Sequence, residues 1–418
     1  MPEKQATNHG LVYLRSYGCQ MNSLDTELVA GQLRAAGYDL TDDMEMADVI
    51  LLNTCSVRRH AEQRVHSNLG AMRRLPRHPV IGIMGCMAEM HREKLIRRFP
   101  QISFLCGPAQ LHRIPALVAE AEEGRRVLAI DPPRAHVDRD SLAMQDRSLE
   151  RVEARRPDAT SARAYVRVMR GCDRFCTYCV VPFVRGPERS RPPEKILAEV
   201  RRLVDTGCKQ VTLLGQTVNS YAFKHDGRVT RLADLLYELS EVPGLSRLSF
   251  VTSHPRDFTE ELAKAMAEVP QVMPYLHLPA QSGSDTVLRR MNRGYTAAEY
   301  AERIAIARHH VHHIAVASDF IVGFPGETDE DFDATCDLMQ EVRFTGGFIF
   351  KYSPRPRTVA AKRLTDDVPD AVKRERNNRL LTLSQEISIE DNQLRVGRVV
   401  SVLVEGPSKR PTLDGGGH

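Results

Sequence analysis

The sequence has no long run of apolar residues. Nowhere in its 418 residues do about 18 apolar positions follow one another, the length that crosses a bilayer. The opening stretch MPEKQATNHGLVYLRSYGCQ has only a short apolar segment, interrupted by Arg15, and lacks the apolar core of a secretory signal. We therefore expect a cytoplasmic protein with no membrane partner.

A dense set of cysteines and a second C-x-x-C pair are also missing. The nine cysteines are spread over most of the chain, unlike the dense disulfide framework of a small secreted domain. A four-cysteine zinc site usually has two C-x-x-C knuckles, and the sequence has no second knuckle. The net charge of +4 is too small to indicate a polyanionic partner. Metal binding by thiolates is therefore favoured over disulfide formation.

The length predicts two or three domains rather than one core. Residues 1–125 alternate short β-rich runs with helical stretches, which predicts an α/β domain with a parallel sheet. The β-rich runs are LVYLRSYG, DVILLNTC, PVIGIMGC and ISFLCG. Residues 126–160 are rich in charge, proline and alanine and poor in periodicity, so we interpret them as a linker.

The alternation resumes in residues 161–392 with six candidate strands. They are AYVRVMR, QVTLLG, RLSFVTS, PYLHLP, IAVASDFIVG and GGFIFKYS, with helices predicted near 193–206, 230–241, 259–268, 284–310, 328–341 and 369–394. Six βα units indicate a partial (β/α)6 barrel with its chemistry at the carboxyl ends of the strands. Residues 393–418 begin with an alternating pattern typical of a strand, which indicates the start of a small β domain.

The stretch GCDRFCTYC holds three cysteines within eight positions, Cys172, Cys176 and Cys179, called here the motif cysteines. This spacing in a loop after a strand predicts a 4Fe-4S cluster held by three thiolates. The iron without a protein ligand could chelate S-adenosylmethionine and place its sulfonium beside the cluster. A structural zinc site is the alternative, but it lacks a fourth ligand.

Three more cysteines, Cys19, Cys55 and Cys86, each follow a predicted strand; we call them the dispersed cysteines. In a parallel sheet they would emerge at the same edge, which predicts a second cluster with three thiolates and one open iron. Buried, inert thiols are the alternative reading of the same pattern. Cys106 also follows a strand and could be a fourth ligand, although we interpret it as a structural thiol.

Glycine and polar residues recur where the strands of the second region are predicted to end. Singly, they are ordinary loop residues, but together they predict a site for S-adenosylmethionine. They are Gly215, Gln216, Asn219, Ser253, Gln281, Ser282, Ser284, Asp319 and Gly323. Tyr178, between two motif cysteines, is either a stacking partner of the adenine or a packed aromatic residue.

Several longer stretches resemble the radical S-adenosylmethionine methylthiotransferases along essentially the whole chain. They are SYGCQMN, LLNTCSVR, MGCMA, MRGCDRFCTYCVVPFVRG, GQTVNSY, HLPAQSGSD, DFIVGFPGE and FKYSPRPRTVAA. Within that family the stretches VMRGCDRFCTYCVVP and GQTVNSY are most similar to the branch that acts on isopentenylated adenosine of tRNA.

The resemblance implies an N-terminal domain with an auxiliary 4Fe-4S cluster on the dispersed cysteines. It also implies a radical barrel with a 4Fe-4S cluster on the motif cysteines, which are then catalytic, and a C-terminal TRAM domain that binds RNA. Only the opening of a TRAM domain, from about Gln393, is expected within this sequence.

The reaction implied replaces the carbon-2 hydrogen of N6-(dimethylallyl)adenosine, at position 37 of the tRNA anticodon loop, by a methylthio group. One S-adenosylmethionine methylates the sulfur and a second makes the radical, for which an electron donor is needed. Arg185, Arg189 and Arg191 would contact RNA phosphates, and a monomer would suit the bulky tRNA partner.

Two alternative functions share part of this pattern. A sister methylthiotransferase could act on threonylcarbamoyladenosine of tRNA or on the aspartate of ribosomal protein S12, using the same cysteines. A zinc-stabilised RNA-binding module without catalysis is an alternative of another class.

Overall fold

The structure, a computed structural model, describes residues 9–56, 59–130 and 162–405. Its N-terminal part has six strands: β1 (Leu11–Tyr17), β2 (Asp39–Thr41), β3 (Val49–Thr54), β4 (Val80–Gly85), β5 (Phe104–Cys106) and β6 (Val127–Ala129). They form one parallel sheet in the order β2-β1-β3-β4-β5-β6. The predicted α/β class with an N-terminal parallel sheet is therefore confirmed.

Five helices cover this sheet: α1 (Gln20–Ala35), α2 (Arg59–Met72), α3 (Cys86–His91), α4 (Glu93–Arg98) and α5 (Ile114–Glu122). The sequence pattern missed α5 and the short strands β2 and β6. The two strands have three residues each, which are too few to show a period. Since β6 pairs with β5, the sheet extends into the segment predicted as a linker. Residues 131–160 of that segment lie outside the described residues.

The central strand β3 reads VILLNT and all its residues are buried, as expected for a strand with helices on both faces. Its alternate residues pack into two separate apolar clusters, Leu51 on one face and Ile50 on the other. Gly82 on the neighbouring strand lets them pack closely, since an added Cβ there would lie 2.3 Å from a ring carbon of Phe104. The centre of the sheet is therefore closely packed and holds the loops at its carboxyl edge in place.

The second part has the strands β7 (Arg163–Arg167), β8 (Met169–Arg170), β9 (Arg189–Ser190), β10 (Gln210–Leu214), β11 (Ala222–His225), β12 (Arg228–Arg231), β13 (Arg247–Val251), β14 (Tyr275–His277), β15 (Ala315–Val322) and β16 (Gly346–Lys351). Its helices are α6 (Val181–Val184), α7 (Pro193–Asp205), α8 (Leu232–Ser240), α9 (Glu260–Glu268), α10 (Asp285–Arg290), α11 (Ala297–His310), α12 (Asp329–Val342), α13 (Val359–Arg363) and α14 (Asp370–Gln393).

Six of these strands form two parallel three-stranded sheets, in the orders β13-β10-β7 and β14-β15-β16. A parallel bridge between Leu248 and Val272 connects the end of the first sheet to the chain that enters the second. The alternation of strands and helices predicted for this region is confirmed, and all six strand ends point toward the same side.

Two helix predictions needed correction. The single helix predicted over 284–310 is two helices, because Gly294 has a left-handed φ of +69° and Thr296 starts α11 with a capping box to Glu299. The start of the helix predicted at 230 belongs instead to a hairpin of β11 and β12. Its turn residues Asp226 and Gly227 both have positive φ, as a tight hairpin turn requires.

The strand predicted after residue 393 is not present in residues 394–405. Three of the valines of this segment, Val396, Val399 and Val402, are each more than 70% exposed. A strand needs a neighbour for its hydrogen bonds, and none pairs with this segment among the described residues. Residues 406–418, the rest of the predicted β domain, lie outside the described residues.

Among residues 9–56, 59–130 and 162–405, no helix combines the length and the apolar character needed to cross a bilayer.

We predict that Leu51→Ala lowers the free energy of unfolding by about 2–5 kcal/mol, because it leaves a cavity in a fully buried strand. The same truncation at Leu381, which is 46% exposed on α14, should change it by less than about 0.5 kcal/mol. Urea denaturation followed by circular dichroism measures both variants. Equal effects would show that β3 is not the core of the N-terminal sheet.

Candidate active site

The dispersed cysteines come together at one edge of the N-terminal sheet. Cys19 lies at the start of α1, Cys55 directly follows β3, and Cys86 is the first residue of α3 after β4. Because β1, β3 and β4 are neighbours in a parallel sheet, their carboxyl ends meet there. The thiol of Cys55 donates a hydrogen bond to Cys19, and Cys86 is close enough to act on Cys19 electrostatically.

Glycines before two of the dispersed cysteines permit this approach. An added Cβ at Gly18 would lie 2.8 Å from the Cβ of Cys55. Gly85 has a φ of +93°, and a Cβ there would lie 2.6 Å from the carbonyl oxygen of Thr54. A side chain at Gly18 would therefore clash with Cys55, and one at Gly85 would clash with the backbone just before Cys55.

A buried pair of asparagines fixes the loop of Cys19 against β3. Asn22 Nδ2 donates to Asn53 Oδ1 at 2.8 Å, and Asn53 Nδ2 donates to the carbonyl oxygen of Asn22 at 2.8 Å. Asn22 Oδ1 also accepts from Cys19 Sγ at 3.4 Å. Both asparagines are fully buried, so these bonds hold the start of α1 in one position.

The dispersed cysteines differ in acidity. The hydrogen bond from Cys55 lowers the pKa of Cys19 to about 6, with help from the positive charge of Arg185. Burial raises the pKa of Cys86 above its usual range. One of the three is therefore a thiolate at neutral pH before any metal binds.

The motif cysteines lie in the loop between β8 and α6, wrapped by backbone N–H donors. Arg174 N donates to Cys172 Sγ and Val181 N donates to Cys179 Sγ, both at 3.5 Å. Gly171 has a φ of +70°, and an added Cβ there would lie 1.9 Å from the carbonyl oxygen of Pro187. The glycine before the first motif cysteine is thus required by a close backbone crossing.

Two side chains that sequence reasoning missed also contact the motif cysteines. Thr217 Oγ1 lies 3.4 Å from Cys172 Sγ. Arg293 is buried and donates from Nη1 to Cys176 Sγ at 3.4 Å and to Tyr178 Oη at 3.4 Å. Neither is adjacent to the cysteines in the chain, although Thr217 stands within the GQTVNSY stretch.

Burial raises the pKa of Cys172, and together with the neighbouring Cys176 it raises the pKa of Cys179 to about 12. Without a metal these two thiols are therefore neutral. Iron binding would displace the protons, because only thiolates ligate metals.

Thiolates alone, with no carboxylate or imidazole among them, are the donor set of iron–sulfur clusters and of zinc. No three His, Cys, Asp or Glu side chains of the described residues lie close enough to hold a single metal ion. A cluster needs only one thiolate per iron, so its ligands are spread more widely than those of zinc. Each cysteine group offers three thiolates, which is the donor set of a four-iron cluster with one iron left open.

Ser253, two residues after β13, is buried, and its Oγ has no hydrogen-bond partner among the described residues. The same holds for Nε2 of its neighbour His254, which sequence reasoning missed. Burial lowers the pKa of His254 to about 2, so its imidazole is neutral. Buried polar atoms without partners indicate a bound polar ligand at this edge.

Other predicted cofactor residues are bonded within the protein. The amide of Asn219 donates to His254 O and accepts from His254 N, both at 2.8 Å. Ser282 Oγ lies 3.2 Å from Thr335 Oγ1, and Ser284 caps the start of α10. These residues join the loops at the strand ends, and their contacts with a cofactor remain predictions.

Gln281 is buried with a left-handed φ of +73°, a costly conformation for a side chain of its size. Its backbone carbonyl oxygen accepts a hydrogen bond from Ile321 N at 3.0 Å, and its backbone N–H donates to the carbonyl oxygen of Asp319. The carboxylate of Asp319 lies 3.2 Å from His277 Nε2. Gly323 directly follows β15, and an added Cβ there would lie 2.3 Å from Lys373.

The remaining predicted cofactor residues lie near the motif cysteines. Gly215 follows β10, and an added Cβ would lie 2.5 Å from Met169 Cγ. Gln216, half-buried, stands between Gly215 and Thr217. Tyr178 contacts Phe324 edge-on, with 6.5 Å between ring centroids. This environment fits the interpretation of Tyr178 as a packed aromatic residue, and stacking on adenine remains a prediction.

Two of the three arginines predicted to contact RNA are placed in the interior, which corrects that prediction. The side chain of Arg185 is 6% exposed and lies 2.8 Å from Asp25 Oδ2, while its Nε donates to Cys86 Sγ at 3.3 Å. Arg191 is 11% exposed and pairs with Glu199 at 2.8 Å. Only Arg189, half-buried on β9, remains a candidate for RNA.

Ion pairs join the N-terminal part to the second part of the chain. Asp25 on α1 is fully buried between Arg185 and Arg167 of β7. Glu62 on α2 pairs with Arg355, which follows β16, and with His91, each at 3.1 Å. Apolar contacts add to them, since Val180 and Val184 pack on Cys86 and Met90.

The three cysteines outside both groups are buried. Cys106 Sγ donates to Gly107 O at 3.6 Å and Cys208 Sγ to Gln210 O at 3.2 Å. Cys336 lies within α12 and packs in the core of the second part. The burial of Cys106 fits a structural thiol, and that role stays a prediction.

We predict that, in iron-free protein, Cys19 reacts with iodoacetamide at half its maximal rate near pH 6, because its thiolate forms above its lowered pKa. Cys86 should need a pH above about 9. Mass spectrometry of the alkylated peptides measures both. In Cys55→Ala the midpoint for Cys19 should move up; a midpoint near pH 8.5 in the unaltered protein would contradict the hydrogen bond.

Comparisons with known protein families match both parts of the chain. Residues 166–339 match the family model described as the Radical SAM superfamily. Residues 11–107 match the model described as Uncharacterized protein family UPF0004.

Solved structures of low sequence identity share the fold. The radical S-adenosylmethionine methyltransferase TsrM from Kitasatospora setae superposes with a TM-score of 0.58 at 17% identity, covering 84% of this chain and 77% of that one. The cobalamin-dependent S-adenosylmethionine radical enzyme OxsB superposes with a TM-score of 0.55 at 12% identity, covering 91% of this chain and 56% of that one.

Curated relatives match nearly the whole chain. The tRNA-2-methylthio-N(6)-dimethylallyladenosine synthase of Rhodopirellula baltica is 46% identical over 96% of this chain and 84% of its own length. The enzymes of the same name from Porphyromonas gingivalis and Geobacter metallireducens are 42% and 44% identical, over 96% and 97% of this chain and 85% and 89% of their own lengths. The chain belongs to the radical S-adenosylmethionine methylthiotransferases, in the family of the tRNA-2-methylthio-N(6)-dimethylallyladenosine synthases.

Proposed function

We propose that this protein converts N6-(dimethylallyl)adenosine at position 37 of tRNA into its 2-methylthio derivative. The observation that supports this most directly is the pair of three-thiol groups, one on each domain, brought to a common interface by Arg185 and Asp25. A single cluster would be enough for radical formation alone. The second group is what the insertion of sulfur requires.

The motif cysteines would hold one 4Fe-4S cluster with S-adenosylmethionine at its open iron, and the dispersed cysteines would hold the auxiliary cluster. When bound, these groups supply the radical that removes the carbon-2 hydrogen, and the sulfur and methyl group that replace it. An external electron donor is required for the reduction.

The chain's own residues provide charge and dryness at both groups. Arg293 donates to Cys176 and Arg185 donates to Cys86, so each group has one buried cation facing one of its thiols. Four of the six cysteines are buried, which limits the access of water and protects a reactive radical from side reactions. The cations offset the negative charge that three thiolates bring into a dry site.

We place S-adenosylmethionine at the strand ends of the second part, a partial (β/α)6 barrel over residues 161–392. Ser253 Oγ and His254 Nε2 are buried donors or acceptors that a polar ligand would satisfy. Because His254 is neutral, it would bond the ligand without adding charge. Gly215, Gln216, Gln281, Asp319 and Gly323 lie on the same edge.

The tRNA base would enter between the two domains, unstacked from the anticodon loop. Phe175 and Phe183, both exposed beside the motif cysteines with ring centroids 6.4 Å apart, offer aromatic faces on which such a base could stack. Arg189 would contact a phosphate.

We assign residues 393–418 to the start of a TRAM domain and residues 1–125 to the methylthiotransferase N-terminal domain.

Mass spectrometry of tRNA nucleosides tests the proposal. A strain that lacks the gene should accumulate N6-(dimethylallyl)adenosine and lose its 2-methylthio derivative, and the gene supplied on a plasmid should restore it. Retention of that derivative in the deletion strain would exclude this substrate. Loss of the methylthio group from threonylcarbamoyladenosine or from ribosomal protein S12 instead would identify one of the sister activities.

We predict that Cys55→Ala reduces the iron content of anaerobically purified protein from about eight to about four atoms per chain, because only the motif cysteines would still hold a cluster. Methylthio product should disappear while cleavage of S-adenosylmethionine continues. The matched control is Cys208→Ala, which removes another buried thiol and should keep all eight. Zinc in place of iron, or equal iron in the two variants, would contradict the two-cluster assignment.

A further inference from the structure

Arg185 occupies an unusual position between the two cysteine groups. It comes six residues after Cys179, at the end of α6, and so belongs to the segment that carries the motif cysteines. Its side chain nevertheless points to the other domain, where Nε donates to Cys86 Sγ at 3.3 Å. One residue of the second part of the chain thus contacts a thiol of the N-terminal part.

The guanidinium is held in place from its other side. Nη1 lies 2.8 Å from Asp25 Oδ2, and Asp25 is fully buried and also pairs with Arg167 at 3.5 Å. The ion pair with Asp25 and the hydrogen bond to Cys86 together hold the planar guanidinium facing the sulfur. The orientation of Arg185 toward Cys86 is therefore imposed by the fold.

One donor of Arg185 is left over. Its Nη2 is buried and has no hydrogen-bond partner among the described residues. A buried donor of a charged group is costly to leave unsatisfied. Since this nitrogen belongs to the same guanidinium that contacts Cys86, a cluster held by the dispersed cysteines would supply the missing acceptor through its sulfur atoms.

We propose that Arg185 is a positioning residue for the auxiliary cluster, fixing Cys86 and raising the reduction potential of the cluster through its charge and its hydrogen bonds to sulfur. This inference rests on the proposed function, because it requires a cluster at the dispersed cysteines. Reduction adds an electron to the cluster, and a fixed positive charge with N–H donors to sulfur stabilises the more negative state.

The experiment uses the full chain with Cys172→Ala, Cys176→Ala and Cys179→Ala, so that the auxiliary cluster is the one observed. Its midpoint potential is measured by titration with dithionite, followed by electron paramagnetic resonance. Adding Arg185→Met should shift the potential to a more negative value. Arg185→Lys, which keeps the charge but not the planar fork, should give a smaller shift in the same direction.

The matched control is Arg376→Met. Arg376 is equally buried, but it pairs with Glu327 and Asp329 at 2.7 Å and contacts neither cysteine group. Its variant should keep the parent potential. An unchanged potential in Arg185→Met, or an equal shift in Arg376→Met, would overturn the role of Arg185.

If Arg185→Met retains no iron, Arg185→Gln takes its place, since an amide keeps a donor without the charge. An unchanged potential in that variant overturns the proposal in the same way. Loss of iron from both variants, with a normal circular dichroism spectrum and a loaded Arg376→Met control, would support the positioning of Cys86. Absence of a four-iron cluster from the parent itself would count against the proposed function instead.

Discussion

The structure depends most on one buried carboxylate. Asp25, in the interior of α1, has no access to water and is neutralised by Arg185 and Arg167, both from the second part of the chain. Replacing the arginine partners while the fold persists would leave an unpaired charge in a dry interior, which costs about 3–5 kcal/mol for a buried pair. These ion pairs fix the orientation of the N-terminal sheet relative to the second part of the chain. As a result, the dispersed cysteines face that second part.

Around this ion pair, several local features of the chain hold the cysteines in position. Gly18, Gly85 and Gly171 allow backbone to approach where a side chain would not fit, and each precedes a cysteine. The asparagine pair fixes the loop of Cys19, and backbone N–H groups point at the motif sulfurs. Two buried arginines then balance the charge of the thiolates. The two cysteine groups share this plan although their folds differ.

Much of this could be predicted from sequence, because strands with continuous apolar runs and cysteines directly after them are local signals. The N-terminal sheet, the six parallel strands of the second part and the placement of cysteines at strand ends follow from such patterns. The partners of Arg185 could not, since Asp25 and Cys86 are about a hundred residues or more away and nothing local separates a buried arginine from a phosphate-binding one. The contacts of Thr217 and Arg293 with the motif cysteines could not be predicted for the same reason. The split of the 284–310 helix depended on a backbone conformation at Gly294 that composition alone does not fix.

The short connection between Cys179 and Arg185 has a consequence for how the enzyme can vary. Both ends of this segment are fixed, one by the motif loop and the other by Asp25 and Cys86, and α6 (Val181–Val184) fills the space between them. The separation of the motif cysteines from Cys86 is thus set by a few covalently linked residues. Inserting or deleting one residue here would change that separation while leaving every cysteine in place.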